Sequence, residues 1–224
     1  MGELDFSFLI HAWPALWQGF RVTLQITVTA VVVGLLLGIF IALARISRWR
    51  FLALAGTVYV NLFRSIPLVM VILWFYLLVP QWLQGLVGGR LEDTRFTSAL
   101  VAFSLFEAAF YAEIIRAGIQ SVPVGQRQAA LALGLSPGQT MFYIILPQAL
   151  RNMVPLLLTQ AIILFQDTSL VYVIGLADLF GTATRVGDRD GRLIEAVLAA
   201  GAIYFMLSLL LSRWVRHLTV RKPG

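Results

Sequence analysis

The sequence predicts an all-α integral membrane protein with five transmembrane helices. Hydrophobic residues make up 59% of its 224 residues and charged residues only 12%, whereas a soluble domain carries about 25% charged residues. The mean hydropathy is +0.86. Five apolar stretches are each long enough to cross a hydrocarbon core, which takes about 20 residues of helix. These spans leave no room for a separate catalytic domain, so residues 1–224 are interpreted as a single transmembrane domain.

The chain begins with a predicted interfacial lead-in at residues 1–20, helical until Pro14. This segment is rich in aromatic side chains, which prefer the membrane interface. Glu3 and Asp5 stand where a signal peptide has basic residues, so no cleaved signal is expected. The first span follows at Val22–Ala44 and contains no charged residue.

The second span, Leu52–Val79, is interrupted near its middle. Arg64 lies inside it, and a charge within a bilayer is functional by default because it is costly to bury there. Pro67 follows three residues later and removes a backbone hydrogen bond, which favours a kink. A kink beside an arginine is a plausible place to bind an anion.

The third span, Thr97–Ala117, carries two glutamates. Glu113 lies three residues before Arg116, a spacing that places both side chains on one face of a helix. We therefore predict a local ion pair between them. The loop that precedes this span has balanced charges, in contrast to the basic segment that follows it.

The fourth span, Met153–Leu176, contains Asp167, and the fifth is Leu193–Leu211. A loop of mixed charge is predicted between them. Basic residues accumulate after the first, third and fifth spans, and such residues favour the cytoplasmic side. This pattern places the N-terminus in the periplasm and the C-terminus in the cytoplasm, which an odd number of spans permits.

Residues 118–151, on the predicted cytoplasmic side, form a long patterned segment. Gln126–Leu133 predicts a short helix that Gly134 ends, since glycine often terminates helices. Ser136 is a suitable cap for a second, amphipathic helix that we expect to end at Pro147. On local features alone, docking onto a cytoplasmic partner and an ordinary surface loop are equally supported.

Several classes of function are excluded by residues the sequence lacks. A P-loop requires a lysine followed by serine or threonine, but the single lysine, Lys222, precedes Pro223. The chain contains no cysteine, and its two histidines, His11 and His217, lie at opposite ends. We therefore predict no catalytic residue, no metal site and no cofactor in this chain. The net charge of +6 does not indicate nucleic-acid binding, because the arginines flank apolar runs.

Four polar residues inside the spans are candidates for a translocation pathway. Arg64 is predicted to face that pathway, where its guanidinium suits a carboxylate. The alternatives are a permanent structural pair between Arg64 and Asp167, or an Arg64 side chain that extends to the interface. Thr168 and Ser169 either donate to a substrate carboxylate or bond back to their own helix.

The long cytoplasmic segment resembles a motif in the permease subunits of binding-protein-dependent ABC importers. That motif has the form E-A-A, three residues, G, nine residues, I-x-L-P, and this chain keeps every spacing, with glutamine in place of the first glutamate. By this resemblance the segment docks into an ATPase subunit and transmits its closure. The residues implied to couple to the ATPase are Gln128, Ala129, Ala130, Leu133, Gly134, Ile144, Leu146 and Pro147. A second triplet, at Glu107, lies in a span and lacks the rest of the motif.

Further segments resemble the permeases of polar amino-acid importers, and several look most like one permease of glutamate/aspartate importers. Gln166 departs from that pattern, since many relatives carry lysine there. The segments are Gly19, Thr23 and Leu24, then Phe63–Leu68, Ala112–Ile119, Asp167–Leu170, Phe165–Tyr172 and Arg189–Gly191.

The resemblance implies a type I ABC importer permease in the bacterial cytoplasmic (inner) membrane, with cytoplasmic coupling helices. It implies an amino-acid substrate, most closely glutamate or aspartate, with glutamine, arginine or histidine as alternatives. The partners implied are an ATPase dimer that binds the ATP, a periplasmic substrate-binding protein, and a second permease subunit, identical or different. A passive channel or a secondary transporter is one rival class, and the docking segment, for which a channel has no use, discriminates against it. A purely structural membrane scaffold is another, but it would not need Arg64 and Asp167 in the bilayer.

Overall fold

The computed structural model describes residues 5–87 and 93–220, and every regular element within them is helical. The α-helices are α1 (Phe8–Ile46), α2 (Arg50–Ser65), α3 (Leu68–Val87), α4 (Arg95–Gln120), α5 (Val124–Ala132), α6 (Pro137–Gln139), α7 (Leu146–Asp167), α8 (Leu179–Asp190) and α9 (Leu193–Val220). A π-helical segment, Thr140–Ile145, precedes α7, and a 3₁₀ segment, Thr168–Ile174, follows it. Glu3, Lys222 and Pro223, named above, lie outside the described residues.

Four helical stretches within the described residues are long and apolar enough to cross a membrane. They are Phe8–Ile46, Arg95–Gln120, Pro137–Ile174 and Leu193–Leu218. Helices α2 and α3 qualify together as a fifth span, although the direction of the chain bends by 107° between them. The predicted all-α fold with five spans is therefore confirmed, with the second span broken in two.

The break in the second span lies at Pro67. Ile66 is extended, with φ −108° and ψ 135°, as expected for a residue before proline. The carbonyl of Pro67 then accepts from the amide of Met70 at 3.0 Å and begins α3. The sequence predicted a kink here, and the structure has a turn sharper than a right angle.

Helix α1 continues without interruption through Pro14, so the predicted end of a lead-in helix at that residue is wrong. Proline removes one backbone hydrogen bond, but α1 is packed against other helices on both sides of Pro14 and continues through it. Ala12 and Leu16, two residues before and two after Pro14, are buried in one apolar cluster with Leu179 of α8 and Ala200 of α9.

Helices α1 and α4 approach each other closely along glycine positions. A Cβ atom on Gly34 would lie 2.9 Å from the Cβ of Glu107, and one on Gly38 would lie 2.8 Å from the Cβ of Tyr111. Small residues permit such approach, which is how membrane helices gain packing contacts. This contact places α4 in the centre of the bundle.

Helix α8 occupies the region predicted to be a loop, and that prediction is wrong. Asp178 caps the helix, accepting from the amide of Gly181 at 2.8 Å, and Gly191 ends it at φ +66°. Leu179 and Ala183 bury one face of the helix against α1 and α9. The capping residues are visible in the sequence, but the charges along the exposed face masked the helical pattern.

Candidate functional site

Residues 118–151 form a helical unit at one end of the bundle, which we call the coupling unit. Its helix α5 ends as predicted at Gly134, which has φ +85°. The amide of Gly134 donates to the carbonyl of Leu131 at 3.0 Å, and the amide of Leu135 donates to that of Ala130 at 3.2 Å. These two bonds form a Schellman motif, which requires a left-handed residue at this place.

The second half of the coupling unit begins at Ser136 as predicted. The Ser136 hydroxyl accepts from the amide of Gln139 at 3.3 Å, and the Gln139 side chain accepts from the amide of Ser136 at 2.8 Å. The predicted end at Pro147 is wrong, because the π-helical segment leads directly into α7. Proline is tolerated in the first turn of a helix, and Pro147 is the second residue of α7.

The coupling unit presents large apolar side chains to its surroundings. Val124, Leu133, Phe142 and Tyr143 are 68%, 83%, 67% and 70% exposed. Ala130 is buried within the unit. Of the other predicted coupling residues, Ile144 and Leu146 are half-buried, while Gln128, Ala129, Gly134 and Pro147 are exposed. Exposed apolar side chains of this kind are typical of a site that another protein covers.

Two of the contacts between the coupling unit and the transmembrane bundle join α4 to α7. At the end of α4, a Cβ atom on Gly118 would lie 2.8 Å from the Cβ of Met153 in α7. Next to it, the Asn152 amide donates to the hydroxyl of Ser121 at 2.8 Å. A displacement of the coupling unit would therefore act on α4 and α7 together.

A carboxylate inside the bundle lies among three arginines. Glu113 of α4 accepts from Arg116 at 2.5 Å and from Arg45 of α1, so the predicted Glu113–Arg116 pair is confirmed. Nη1 of Arg64 lies 3.9 Å from Oε2 of the same carboxylate. One carboxylate thus connects α1, α2 and α4, and the group carries an excess of positive charge.

Arg64 keeps much of its side chain accessible despite this neighbour. The side chain is 42% exposed, and Cζ lies 5.5 Å from the centroid of the Phe110 ring, within the range of a cation–π contact. Among the residues that the structure describes, no ion pair joins Arg64 to Asp167. The alternative of a permanent lock between these two residues is therefore not found.

The other predicted pathway residues lie where α7 changes into the 3₁₀ segment. Asp167 is the last residue of α7. The Thr168 hydroxyl donates to the carbonyl of Phe165 at 2.7 Å, and the Ser169 hydroxyl donates to that of Gln166 at 2.9 Å. Both hydroxyls thus bond back to their own helix, and their contact with a substrate stays a prediction.

Sequence reasoning missed a buried polar pair at the centre of the bundle. Glu107 is fully buried, and both of its carboxyl oxygens lie 3.2 Å from Nε2 of Gln160, which donates to them. This contact joins α4 to α7 beneath Gly34 of α1. The signal was an isolated glutamate in an apolar span, which by itself indicates function.

Comparisons with known proteins agree with this geometry. Residues 34–222 match the family described as "Binding-protein-dependent transport system inner membrane component". The glutamate/aspartate import permease protein GltK of Escherichia coli is 56% identical over 222 residues, which is 99% of each chain. The glutamate/aspartate import permease protein GltJ of Escherichia coli is 33% identical over 217 residues, which is 93% of this chain and 88% of its own.

A solved structure gives the same result in three dimensions. The crystal structure of an amino acid ABC transporter with histidines is similar with a TM-score of 0.89 and 32% sequence identity, over 99% of this chain and 100% of that one. The overall fold and the sequence matches therefore indicate the same family. The chain belongs to the family of inner membrane components of binding-protein-dependent transport systems.

Proposed function

We propose that this chain is a permease subunit of an ATP-driven importer for glutamate and aspartate in a bacterial inner membrane. The observation that carries the proposal is the 56% identity to a glutamate/aspartate import permease over 99% of both chains. The excess of arginine around Glu113 supports an anionic substrate, since guanidinium groups pair well with carboxylates. The alternative is that this chain is a permease subunit of an importer for another polar amino acid, such as glutamine, arginine or histidine.

A separate ATPase dimer supplies the energy by docking onto the exposed apolar surface of the coupling unit. The exposed fractions of Leu133 and Phe142 support such a partner, and exposed patches of this kind mark interaction sites. The contacts of Gly118 with Met153 and of Ser121 with Asn152 then carry the motion into α4 and α7. In this proposal α4 and α7 tilt between two orientations, which correspond to the inward-open and outward-open states of the importer.

The pathway is formed with a second, different permease subunit, and a periplasmic binding protein delivers the substrate. Two distinct Escherichia coli relatives, GltK and GltJ, both have names that state glutamate/aspartate import, which supports a heterodimer. In this assembly the N-terminus is periplasmic and the C-terminus cytoplasmic. Arg64 faces the substrate route from the broken second span, and Asp167, Thr168 and Ser169 line it from the end of α7.

The proposal is tested by purifying the tagged chain from native membranes in mild detergent and identifying every co-purifying protein. An ATPase together with a second permease is expected. An ATPase without a second permease would point to a homodimer, and a folded chain without any ATPase would contradict the importer. The purified complex is then reconstituted with its binding protein and ATP, and labelled glutamate uptake is measured against unlabelled aspartate and glutamine. Competition by glutamine but not aspartate would contradict the proposed substrate.

A further inference from the structure

Two arginines from different helices donate to one carbonyl oxygen at the end of the bundle opposite the coupling unit. Arg95, at the start of α4, donates from Nη1 to the carbonyl of Gly175 at 3.0 Å, and Arg185 of α8 donates from Nη2 to the same oxygen at 2.7 Å. Because each nitrogen is in contact with one atom, the two lie no more than about 6 Å apart. Two like charges repel each other at that separation.

The position of Gly175 explains why a carbonyl is available there. Gly175 follows the 3₁₀ segment and has φ +70°, and its own amide donates to the carbonyl of Tyr172 at 2.9 Å. A basic side chain commonly satisfies the last carbonyls of a helix, and one arginine is enough for that purpose. The second arginine brings an additional positive charge to a site whose acceptor is neutral.

The charges around the two guanidinium groups leave an excess of positive charge. Asp93 lies 3.7 Å from Nε of Arg95. Within the described ranges 5–87 and 93–220, no other carboxylate forms an ion pair with either guanidinium, and neither guanidinium makes a further hydrogen bond. Each guanidinium carries five N–H donors, and both side chains are exposed. Donors therefore remain available to a ligand.

Space for a ligand exists beside Arg185. This side chain also lines an open hollow between α1 and α8, together with the polar residues Gln18, Thr182 and Arg189. Arg189 forms an ion pair with Asp190 at 2.7 Å, so its charge is already balanced. The unbalanced charge that borders the hollow is that of Arg185.

We propose that Arg95 and Arg185 form a carboxylate-binding site at the outer end of the bundle, which receives the side chain of an acidic amino acid before it enters the pathway. The inference rests on the proposed glutamate/aspartate import. Two guanidinium groups from different helices suit a carboxylate, which accepts through both oxygens. Gly175 also directly follows the segment that carries Thr168 and Ser169, so the site lies at the outer end of the predicted substrate route.

The test measures binding to the complete permease–ATPase complex in nanodiscs, without the binding protein. Glutamate and glutamine are titrated into the millimolar range, and affinity is followed by calorimetry or thermal shift. We expect glutamate to bind more tightly than glutamine, and Arg95→Gln and Arg185→Gln each to weaken glutamate binding about tenfold or more, as for the loss of a charged hydrogen bond. Arg21→Gln, which removes an exposed arginine of α1 outside this site, serves as the control and keeps the original affinity.

Equal affinity for glutamate and glutamine, or unchanged binding in the Arg95→Gln, Arg185→Gln double variant, would overturn the site. Folding is checked separately by the basal ATPase rate of each complex. If a glutamine variant fails to assemble, Arg95→Lys and Arg185→Lys keep the charge but lose the planar fork. We expect these variants to assemble with weaker glutamate binding, and full affinity in both would also count against the site.

Three further outcomes have separate meanings. If the arginines instead bind carboxylates of the binding protein, the variants raise the concentration of loaded binding protein needed for half-maximal uptake while direct glutamate binding is unchanged, and this result overturns the substrate site. If the original importer takes up no acidic amino acid, the proposed function itself fails. If it takes up glutamate normally in both the original and the doubly substituted form, only the Arg95–Arg185 site fails.

Discussion

Nη1 of Arg64 lies 3.9 Å from Oε2 of Glu113, across the contact between α2 and α4. Glu113 is also the acceptor for Arg45 and Arg116. The arginine of the broken second span therefore belongs to a group of three cations around one carboxylate, and Asp167 is not its ion-pair partner among the described residues. This arrangement leads to two predictions.

Glu113→Gln should destabilise the protein by about 2 kcal/mol, because it leaves three guanidinium groups without their shared negative charge. The Glu113 side chain is 22% exposed, so solvent compensates for only part of the loss. Thermal unfolding of the detergent-solubilised protein measures the change. Asp190→Asn breaks an exposed pair with Arg189 and should leave the unfolding temperature unchanged, and an equal loss in both variants would contradict the importance of the cluster.

The double substitution Arg64→Asp, Asp167→Arg should fail to restore uptake that Arg64→Asp abolishes. The exchanged charges would not meet, because Arg64 contacts Glu113 and the ring of Phe110. Labelled amino-acid uptake in reconstituted vesicles measures the result. Recovery of transport in the double variant would show that these two residues pair in another state of the transport cycle and would remove Arg64 from the substrate route.

Gly34→Leu should destabilise the bundle by about 1–3 kcal/mol, as is typical of overpacking. The added Cβ alone would lie 2.9 Å from the Cβ of Glu107, on a helix that cannot move away without disturbing its other contacts. Thermal unfolding is again the measurement. Gly201→Leu on α9 is the matched control, since nothing lies within 4 Å of its Cβ position, and similar losses at both sites would contradict the close α1–α4 contact.

Gly134→Asp should leave the protein in the membrane but separate ATP hydrolysis from transport. The left-handed φ of +85° is strained for any side chain, so the turn between α5 and α6 should change shape without affecting the spans. ATPase and uptake rates are measured on the same reconstituted complex. Gly138→Ala lies four residues away with open space around its Cβ position and should retain coupling. Normal uptake in Gly134→Asp would contradict the coupling role.

The pH dependence of stability should reveal Asp178. Burial raises the pKa of this carboxyl to about 6 from an ordinary 3.8, in spite of hydrogen bonds from Gly181, Phe180 and Tyr204. The folded protein therefore holds the proton more tightly than the unfolded chain. The resulting stabilisation is complete below pH 3.8 and is lost as the pH rises through 6, with a total of about 3 kcal/mol for a shift of this size.

Asp178→Asn provides the comparison for that prediction. Asparagine is an equally good helix cap but does not titrate, so the variant should lack the decline between pH 4 and pH 6 that this carboxyl causes. Unfolding temperatures are measured for both proteins across that range. Parallel curves would contradict a burial-raised pKa for Asp178.

Local sequence patterns predicted much of the coupling unit. The start at Ser136 and the stop at Gly134 follow from hydrogen bonds made within a few residues, which neighbouring residues alone determine. The continuation through Pro14 could not be predicted in this way, because the residues packed beside it, such as Leu179, lie far along the chain. The continuation through Pro147 depends on the π-helical segment that leads directly into α7, a rare local conformation that residue types alone do not indicate.

The sequence by itself determined that this chain carries five apolar stretches long enough to cross a membrane, that it contains no P-loop and that it carries the coupling motif, because hydropathy, residue identity and spacing are properties of the linear chain. Only the tertiary structure decided that Arg64 meets Glu113, that Glu107 meets Gln160, and that Arg95 and Arg185 converge on Gly175. These pairs are separated by many residues, and their contact depends on how closely the helices pack. The glycines of α1 and the turn at Pro67 set that packing through steric fit, which no local pattern records.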